Sequence, residues 1–248
     1  MKISIITIVY NNRETIADAI ESVLSQTYPH IEYIVIDGLS TDGTVNVVKS
    51  YGNRISTFVS EKDKGLYDAI NKGIGLATGE VIGLLHSDDM LAGKDTVADI
   101  ARMFTTHQTD SVYGDLHYVQ KEDTSKTVRN WVSGDYDRKN FLYGWMPPHP
   151  SFYVKRACYQ KYGLFNTTFK SAADYELMLR FLYKHKISTA YLPEVLVRMR
   201  VGGKSNVTLK NRIRANQEDY NAWVVNGLKP KIYTRFLKPL RKLKQFLK

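Results

Sequence analysis

The sequence predicts an α/β protein whose central sheet is mostly parallel and carries helices on both faces. Three observations support this. Segments with strand and helix periodicity alternate from Ile3 to His107. Acidic residues recur just after successive strand segments, at Asp37, at Glu61 and Asp63, and at Asp88-Asp89. The charge divides into a neutral body and a basic C-terminal end.

The elements follow in order. Ile3–Tyr10 is a β-branched run and reads as the first strand. Thr15–Gln26 places Ile16, Ala19, Ile20, Val23 and Leu24 at helical spacing, and Tyr28-Pro29 ends that helix. A strand at Ile31–Ile36, a short helix near Thr44–Tyr51, a strand at Ile55–Ser60, a helix near Tyr67–Ala77 and a strand at Val81–Leu85 continue the alternation. A helix follows at Thr96–His107. Beyond it, Ser111–Tyr118 and Thr127–Val132 read as strands, and Gly144–Pro150 as a loop. Asp174–Lys184 spaces Leu177, Met178, Phe181 and Leu182 for a buried helix, and Leu209–Val225 reads as another.

A chain of 248 residues supports one substantial core with room for an appendage. Its single cysteine, Cys158, excludes an internally disulfide-stapled scaffold and points to a reducing cytoplasm. The opening MKISIITIVYNN has too short an apolar stretch for a signal peptide. No segment reaches the roughly 18–20 apolar residues of a membrane span.

The net charge of +10 is localised: residues 204–248 hold 12 Lys or Arg against Glu218 and Asp219, so the remainder balances to zero. Such a tail favours an anionic surface, while the body shows no nucleic-acid footprint and no nucleic-acid partner is expected. From Pro239, Leu240, Leu243 and Leu247 recur at amphipathic-helix spacing among Lys and Arg, a pattern suited to a membrane interface.

Ligands of open parallel sheets bind beyond the carboxyl ends of the strands, where these acidic residues fall. Adjacent carboxylates such as Asp88-Asp89 need a cation or hydrogen-bond donors, and Mg²⁺ or Mn²⁺ would meet that need with substrate phosphate completing its shell. The pair is equally compatible with a simple turn. Gly73–Gly79 is glycine-rich but ends a helix, so it is not a dinucleotide fingerprint, and no GxxxxGK[ST] phosphate loop is present.

Five segments occur together: SIITIVYNN at 4–12, IVIDGLSTDGT at 34–44, EKDKGLYDAINKGIGLATGEVIGLLHSDD at 61–89, HPSFYVKR at 149–156 and ADYELMLR at 173–180. In order and spacing they resemble the family 2 glycosyltransferases of GT-A fold, and most of all the bacterial polysaccharide-assembly members. The resemblance spans Ser4 to about Ser205. It implies a GT-A domain at 1–205, with a nucleotide-sugar half at 1–107 and an acceptor half at 108–205, and a basic helical extension at 206–248.

The same resemblance implies roles. Asp37 meets the nucleotide base, with Val9 and Tyr10 cradling the ring. Asp88 binds ribose or helps with the metal, Asp89 ligates Mn²⁺ or Mg²⁺ at the diphosphate, and Asp174 is the catalytic base. Asp68 and Lys72 fall in the nucleotide-binding segment. His86, His149, Arg200 and Lys204 are candidates for acceptor or diphosphate contacts.

The sequence departs from the pattern in three places. Gly38 stands where a second Asp is usual, His86 takes the first position of an Asp-x-Asp-Asp motif, and Ile70 stands where an Arg is common. The processive signature QxxRW is absent, so the resemblance implies addition of a single sugar. The expected activity is inverting transfer from a UDP-hexose or UDP-N-acetylhexosamine donor to a glycan or polyprenyl-diphosphate-linked acceptor at the cytoplasmic face of the cell membrane, with 229–248 on the anionic surface. A nucleotidyltransferase lacks its glycine-rich opening loop here, and a non-catalytic nucleotide-sugar sensor or membrane scaffold is the reading from another class.

Overall fold

The computed structural model describes residues 1–202, 209–231 and 233–234. In chain order its elements are β1 (Ile3–Val9), α1 (Ile16–Leu24), β2 (Ile31–Asp37), α2 (Thr44–Lys49), β3 (Thr57–Ser60), α3 (Leu66–Leu76), β4 (Val81–His86), β5 (Asp89–Leu91) and α4 (Thr96–His107). They continue as β6 (Ser111–Val119), β7 (Thr127–Trp131), β8 (Phe152–Lys155), α5 (Arg156–Tyr162), α6 (Ala173–Met178), a π-helical turn at Leu179–Lys184, β9 (Thr189–Arg200) and α7 (Leu209–Val225). Lys204 and almost all of the 229–248 tail lie outside the described residues.

The described strands form one sheet ordered β3-β2-β1-β4-β8-β6-β9-β5, with β7 paired to β6. Strands β3, β2, β1 and β4 run parallel. The remainder is mixed: β8 is antiparallel to β4 and β6, β9 is parallel to β6, and β5 is antiparallel to β9. The expectation of a mostly parallel sheet therefore describes its first half, and the second half extends the same sheet.

Strand alternation sends β1 to two cores. Ile6 and Ile8 join Ile70 and Ile74 of α3 and Leu177 of α6 on one face. Ile3, Ile5 and Val9 join Ile16 and Ile20 of α1 and Val97 and Ile100 of α4 on the other. Gly73 is a packing glycine, since a Cβ there would lie 2.4 Å from Ile6 Cγ2, so its absence lets α3 close on β1.

Four elements escape sequence periodicity, among them the three-residue β5. β8 and α5 have only 4 and 7 residues. β9 contains Pro193, which cannot donate to a ladder. The register passes from Gly114↔Leu192 to Asp115↔Val195, so Pro193 and Glu194 bulge out and the strand continues.

Helix α7 packs against α6, with Ala222 and Trp223 fully buried in the same core cluster. The described part of the 206–248 segment is thus integral to the body's packing.

Candidate functional site

Parallel pairing brings the carboxyl ends of β1, β2, β3 and β4 to one edge, with Val9 opposite Asp37 and Asp37 opposite Ser60. Asp37 is completely enclosed. Its Oδ2 accepts hydrogen bonds from Ser40 N at 3.0 Å and Ser60 Oγ at 2.7 Å, while Oδ1 is buried with no partner. Such an acceptor suits a ligand N–H. The Gly38 amide donates to Val9 O at 2.9 Å, and the Tyr10 ring stands exposed beside it. A Cβ at Gly38 would lie 2.5 Å from Asp63 Oδ2 and 3.3 Å from the Tyr10 ring. Glycine here lets Asp63, from the loop after β3, bring its carboxylate against the chain just after Asp37.

Small polar residues interlock the surrounding loops. Asn11 accepts the Thr41 amide at 2.8 Å and donates its own amide to Ser40 Oγ at 2.8 Å. The Asn12 amide donates to Thr44 Oγ1 at 3.0 Å, and Asn12 Nδ2 donates to Ser87 Oγ at 2.9 Å. The Thr15 hydroxyl donates to Ser87 O at 3.0 Å, so the β1–α1 loop grips the turn that carries Asp88.

Asp68 and Lys72 brace the loop that carries Asp63. Asp68 accepts the Lys64 amide at 2.9 Å, and Lys72 Nζ donates to Lys62 O at 3.0 Å and pairs with Glu61 at 2.8 Å. The hydrogen-bonded Glu61 carboxylate raises the Lys72 pKa.

At the end of β4 the half-buried His86 ring lies 5.5 Å from that of His149. Burial and His149 lower the His86 pKa to about 4, while the charges of Asp88 and Asp174 act to raise it. Burial also lowers that of His149 to about 4. The carboxylates of Asp88 and Asp174 thus lie near enough to His86 for their charges to act on it. His149 meets the Phe165 ring edge-on at 5.9 Å, and Phe165 stacks on Tyr67 at 5.8 Å. Asn71 holds Phe165 through both main-chain groups, at 2.9 and 3.0 Å. Ile70 is fully buried.

Asp88 and Asp89 diverge. Asp88 is partly exposed. Asp89 is 0% exposed within β5, and both its oxygens lack hydrogen-bond partners. Burial and the adjacent Asp88 charge push its carboxyl well above the ordinary range, with Arg200 opposing them. Arg200 is itself buried and engaged: it donates to Asp88 O at 2.8 Å, to Lys121 O at 3.3 Å and to Asp18 Oδ2. It secures the Asp88 turn from behind.

The structure therefore gathers Val9, Tyr10, Asp37, Asp88, His86, His149 and Asp174 along one edge. Asp68, Lys72 and Arg200 support that edge through protein partners, and Asp89 is enclosed. Sequence reading missed the roles of Asn11, Asn12, Thr15 and Ser40. Their signal was present as clustered turn-forming side chains after β1 and β2.

An open α/β sheet with an unpartnered acceptor oxygen at one strand end and Asp88 beyond the end of the next-but-one strand fits a nucleotide-sugar transferase. The chain matches the Glycosyl transferase family 2 model over residues 4–170. It belongs to that family and is a glycosyltransferase that draws on a nucleotide-sugar.

Among curated relatives, a PGL/p-HBAD biosynthesis glycosyltransferase of Mycobacterium tuberculosis is 28% identical over 208 residues, covering 82% of this chain and 78% of the relative. An uncharacterized glycosyltransferase of Rickettsia typhi is 29% identical, covering 97% and 73%. Among solved structures, residues 1–349 of S. aureus TarS in complex with UDP-GlcNAc align with TM-score 0.68 and 19% identity, over 100% of this chain and 72% of that one. The mannosyltransferase PcManGT of Pyrobaculum calidifontis, in complex with GDP-Man and Mn²⁺, aligns with TM-score 0.68 and 21% identity, over 99% and 69%. The chain spans 43% of the longer TarS structure.

Proposed function

We propose that this chain is an inverting, metal-dependent transferase that moves one sugar from a UDP-hexose or UDP-N-acetylhexosamine. Its acceptor is a glycan or polyprenyl-diphosphate-linked glycolipid of cell-surface polysaccharide synthesis, whether O-antigen, capsule or exopolysaccharide. The observation that carries this reading is that Asp88 and Asp174 both act on the His86 ring at the end of β4, on the same sheet edge as Asp37.

In this reading the free Oδ1 of Asp37 accepts the base N–H, Tyr10 covers the ring, and Asp63 adds an acceptor at the same end. Asp174 removes the acceptor hydroxyl proton on the face opposite the leaving diphosphate. His149 and Phe165, in edge-to-face contact, form one wall of the sugar site.

The donor set suits Mn²⁺ or Mg²⁺. Among the described residues no three His, Cys, Asp or Glu side chains form a metal cage, and these cations accept one or two protein ligands with phosphate completing the shell. When bound, the cation offsets charge on the leaving diphosphate. The enclosed position of Asp89 favours Asp88 as the ligand, with His86 beside it and Arg200 holding the Asp88 main chain.

Two variants test the assignment. Asp174→Asn is expected to lower kcat by about 10²–10⁴-fold while UDP binding, measured by calorimetry, is retained. Unchanged turnover would remove Asp174 as base. Asp88→Asn is expected to abolish the Mn²⁺ dependence of UDP binding, and Asp89→Asn to preserve it; the reverse pattern would return the metal to Asp89.

The basic 229–248 segment is proposed to hold the enzyme against anionic lipid. No helix among the described residues is long and apolar enough to cross a membrane.

A further inference from the structure

Helix α6 starts without a side-chain cap of its own, since its N-cap residue is Ala172. The first amides of a helix have no partners within it. The turn that leads into α6 is held from elsewhere in the chain. The Glu218 carboxylate, on α7, accepts the amides of Lys170 at 3.2 Å, Ser171 at 2.7 Å and Ala172 at 3.0 Å. The Tyr67 phenol, on α3, lies close enough to the Ala173 and Asp174 amides for them to act on its pKa. Three consecutive amides leading into α6 are thus held by one carboxylate.

Helix α7 grips α6 at two further points. Trp223 Nε1 donates to the Tyr175 hydroxyl at 3.0 Å, and Asn226 Nδ2 donates to Glu176 Oε1 at 2.9 Å. The residues on either side of Asp174 are therefore fixed to α7, a helix that lies beyond the matched family region.

We propose that Glu218 is a positioning residue for the transfer reaction. As a buttress supplied by α7, it holds the 170–172 turn so that the Asp174 carboxylate keeps its place near His86. The inference rests on Asp174 being the base. Its physical basis is that several charge-assisted hydrogen bonds fix a short segment more firmly than neutral ones. A displacement of about 1 Å at a catalytic group costs on the order of 10²-fold in rate.

The test compares Glu218→Ala, Glu218→Gln, Asp174→Asn and the Glu218→Ala/Asp174→Asn double variant in the full chain. Turnover, donor KM and hydrogen exchange of amides 170–172 are measured for each. Glu218→Ala is expected to lower kcat about 10- to 100-fold with donor KM within about 2-fold, and to expose amides 170–172 to exchange. Glu218→Gln, which keeps one acceptor oxygen, is expected to recover part of both losses and serves if the alanine variant does not fold. The double variant is expected to be no slower than Asp174→Asn alone, because Glu218 acts through Asp174.

Full turnover in Glu218→Ala beside an inactive Asp174→Asn would overturn the positioning role and leave the base in place. Additive losses in the double variant would also overturn it, reducing Glu218 to general fold support. Full turnover in Asp174→Asn would remove the base and this inference with it.

Discussion

Glu32 shows how one buried carboxylate ties β1 to β2 and to the start of β4. Its oxygens accept from Lys2 Nζ at 2.8 Å, Ser4 Oγ at 2.6 Å, Thr78 Oγ1 at 2.6 Å and the Thr78 amide at 2.8 Å. Burial alone would raise its pKa, but these bonds outweigh burial and lower it from 4.5 to about 2. The stabilisation is therefore complete above the unfolded value and is lost as pH falls from about 4.5 toward 2. With Lys2 half-exposed and screened, about 2 kcal/mol is expected from this group. Urea unfolding across that pH range should show Glu32→Gln less stable than the parent at pH 7 and converging with it near pH 2. A constant offset would assign the effect elsewhere. At this scale the sequence disclosed which acids follow strands. It did not disclose that Asp88 is partly exposed while Asp89 is enclosed, because that depends on β5 pairing with a strand more than a hundred residues away. It also did not show Asp63 beside Gly38, since the two are joined only by loop closure.

At the scale of elements, the junction of β4 and β8 is where parallel and mixed halves of the sheet meet. Gly83 lies under Tyr153, and a Cβ on Gly83 would stand 2.1 Å from that ring. Gly83→Ala is therefore expected to destabilise by about 1–3 kcal/mol through overpacking, read as a lower urea midpoint. The Tyr153 hydroxyl is buried without a hydrogen-bond partner. Removing an unsatisfied polar atom relieves its desolvation cost, so Tyr153→Phe is expected to leave stability unchanged or raise it by up to about 1 kcal/mol. A loss above 1 kcal/mol in Tyr153→Phe would show that the hydroxyl has a partner. The elements through α4 other than the three-residue β5 were legible because each displays its period and ends at a recognisable turn. β8 was hidden by its length, and β9 by Pro193 and Glu194 interrupting an otherwise apolar alternation. The paired β6 and β9 supply what sequence periodicity could not, a long-range partner that tolerates the bulge.

At the scale of the molecule, the separation of charge seen in the sequence meets a structural boundary further along the chain than residue 205. Helix α7 is committed to the core through Ala222 and Trp223. After it, Tyr233 stacks on Tyr143 at 5.6 Å and the Thr234 hydroxyl donates to Leu142 O at 2.6 Å. A deletion that tests the proposed membrane segment and spares these described contacts therefore starts after Thr234. Residues 235–248 carry Arg235, Lys238, Arg241, Lys242, Lys244 and Lys248 with no acid. Each such residue near an anionic leaflet contributes about 1 kcal/mol at physiological ionic strength, and Leu240, Leu243 and Leu247 add apolar insertion. Deletion of 235–248 is accordingly expected to abolish flotation with vesicles containing anionic phospholipid while leaving UDP binding and the thermal midpoint unchanged. The parent chain should float with those vesicles, weaken as salt rises, and remain unbound to purely zwitterionic vesicles. Equal recovery of the parent and truncated chains would place membrane attachment, if any, on the folded body, and would leave the tail's charge to a different anionic partner.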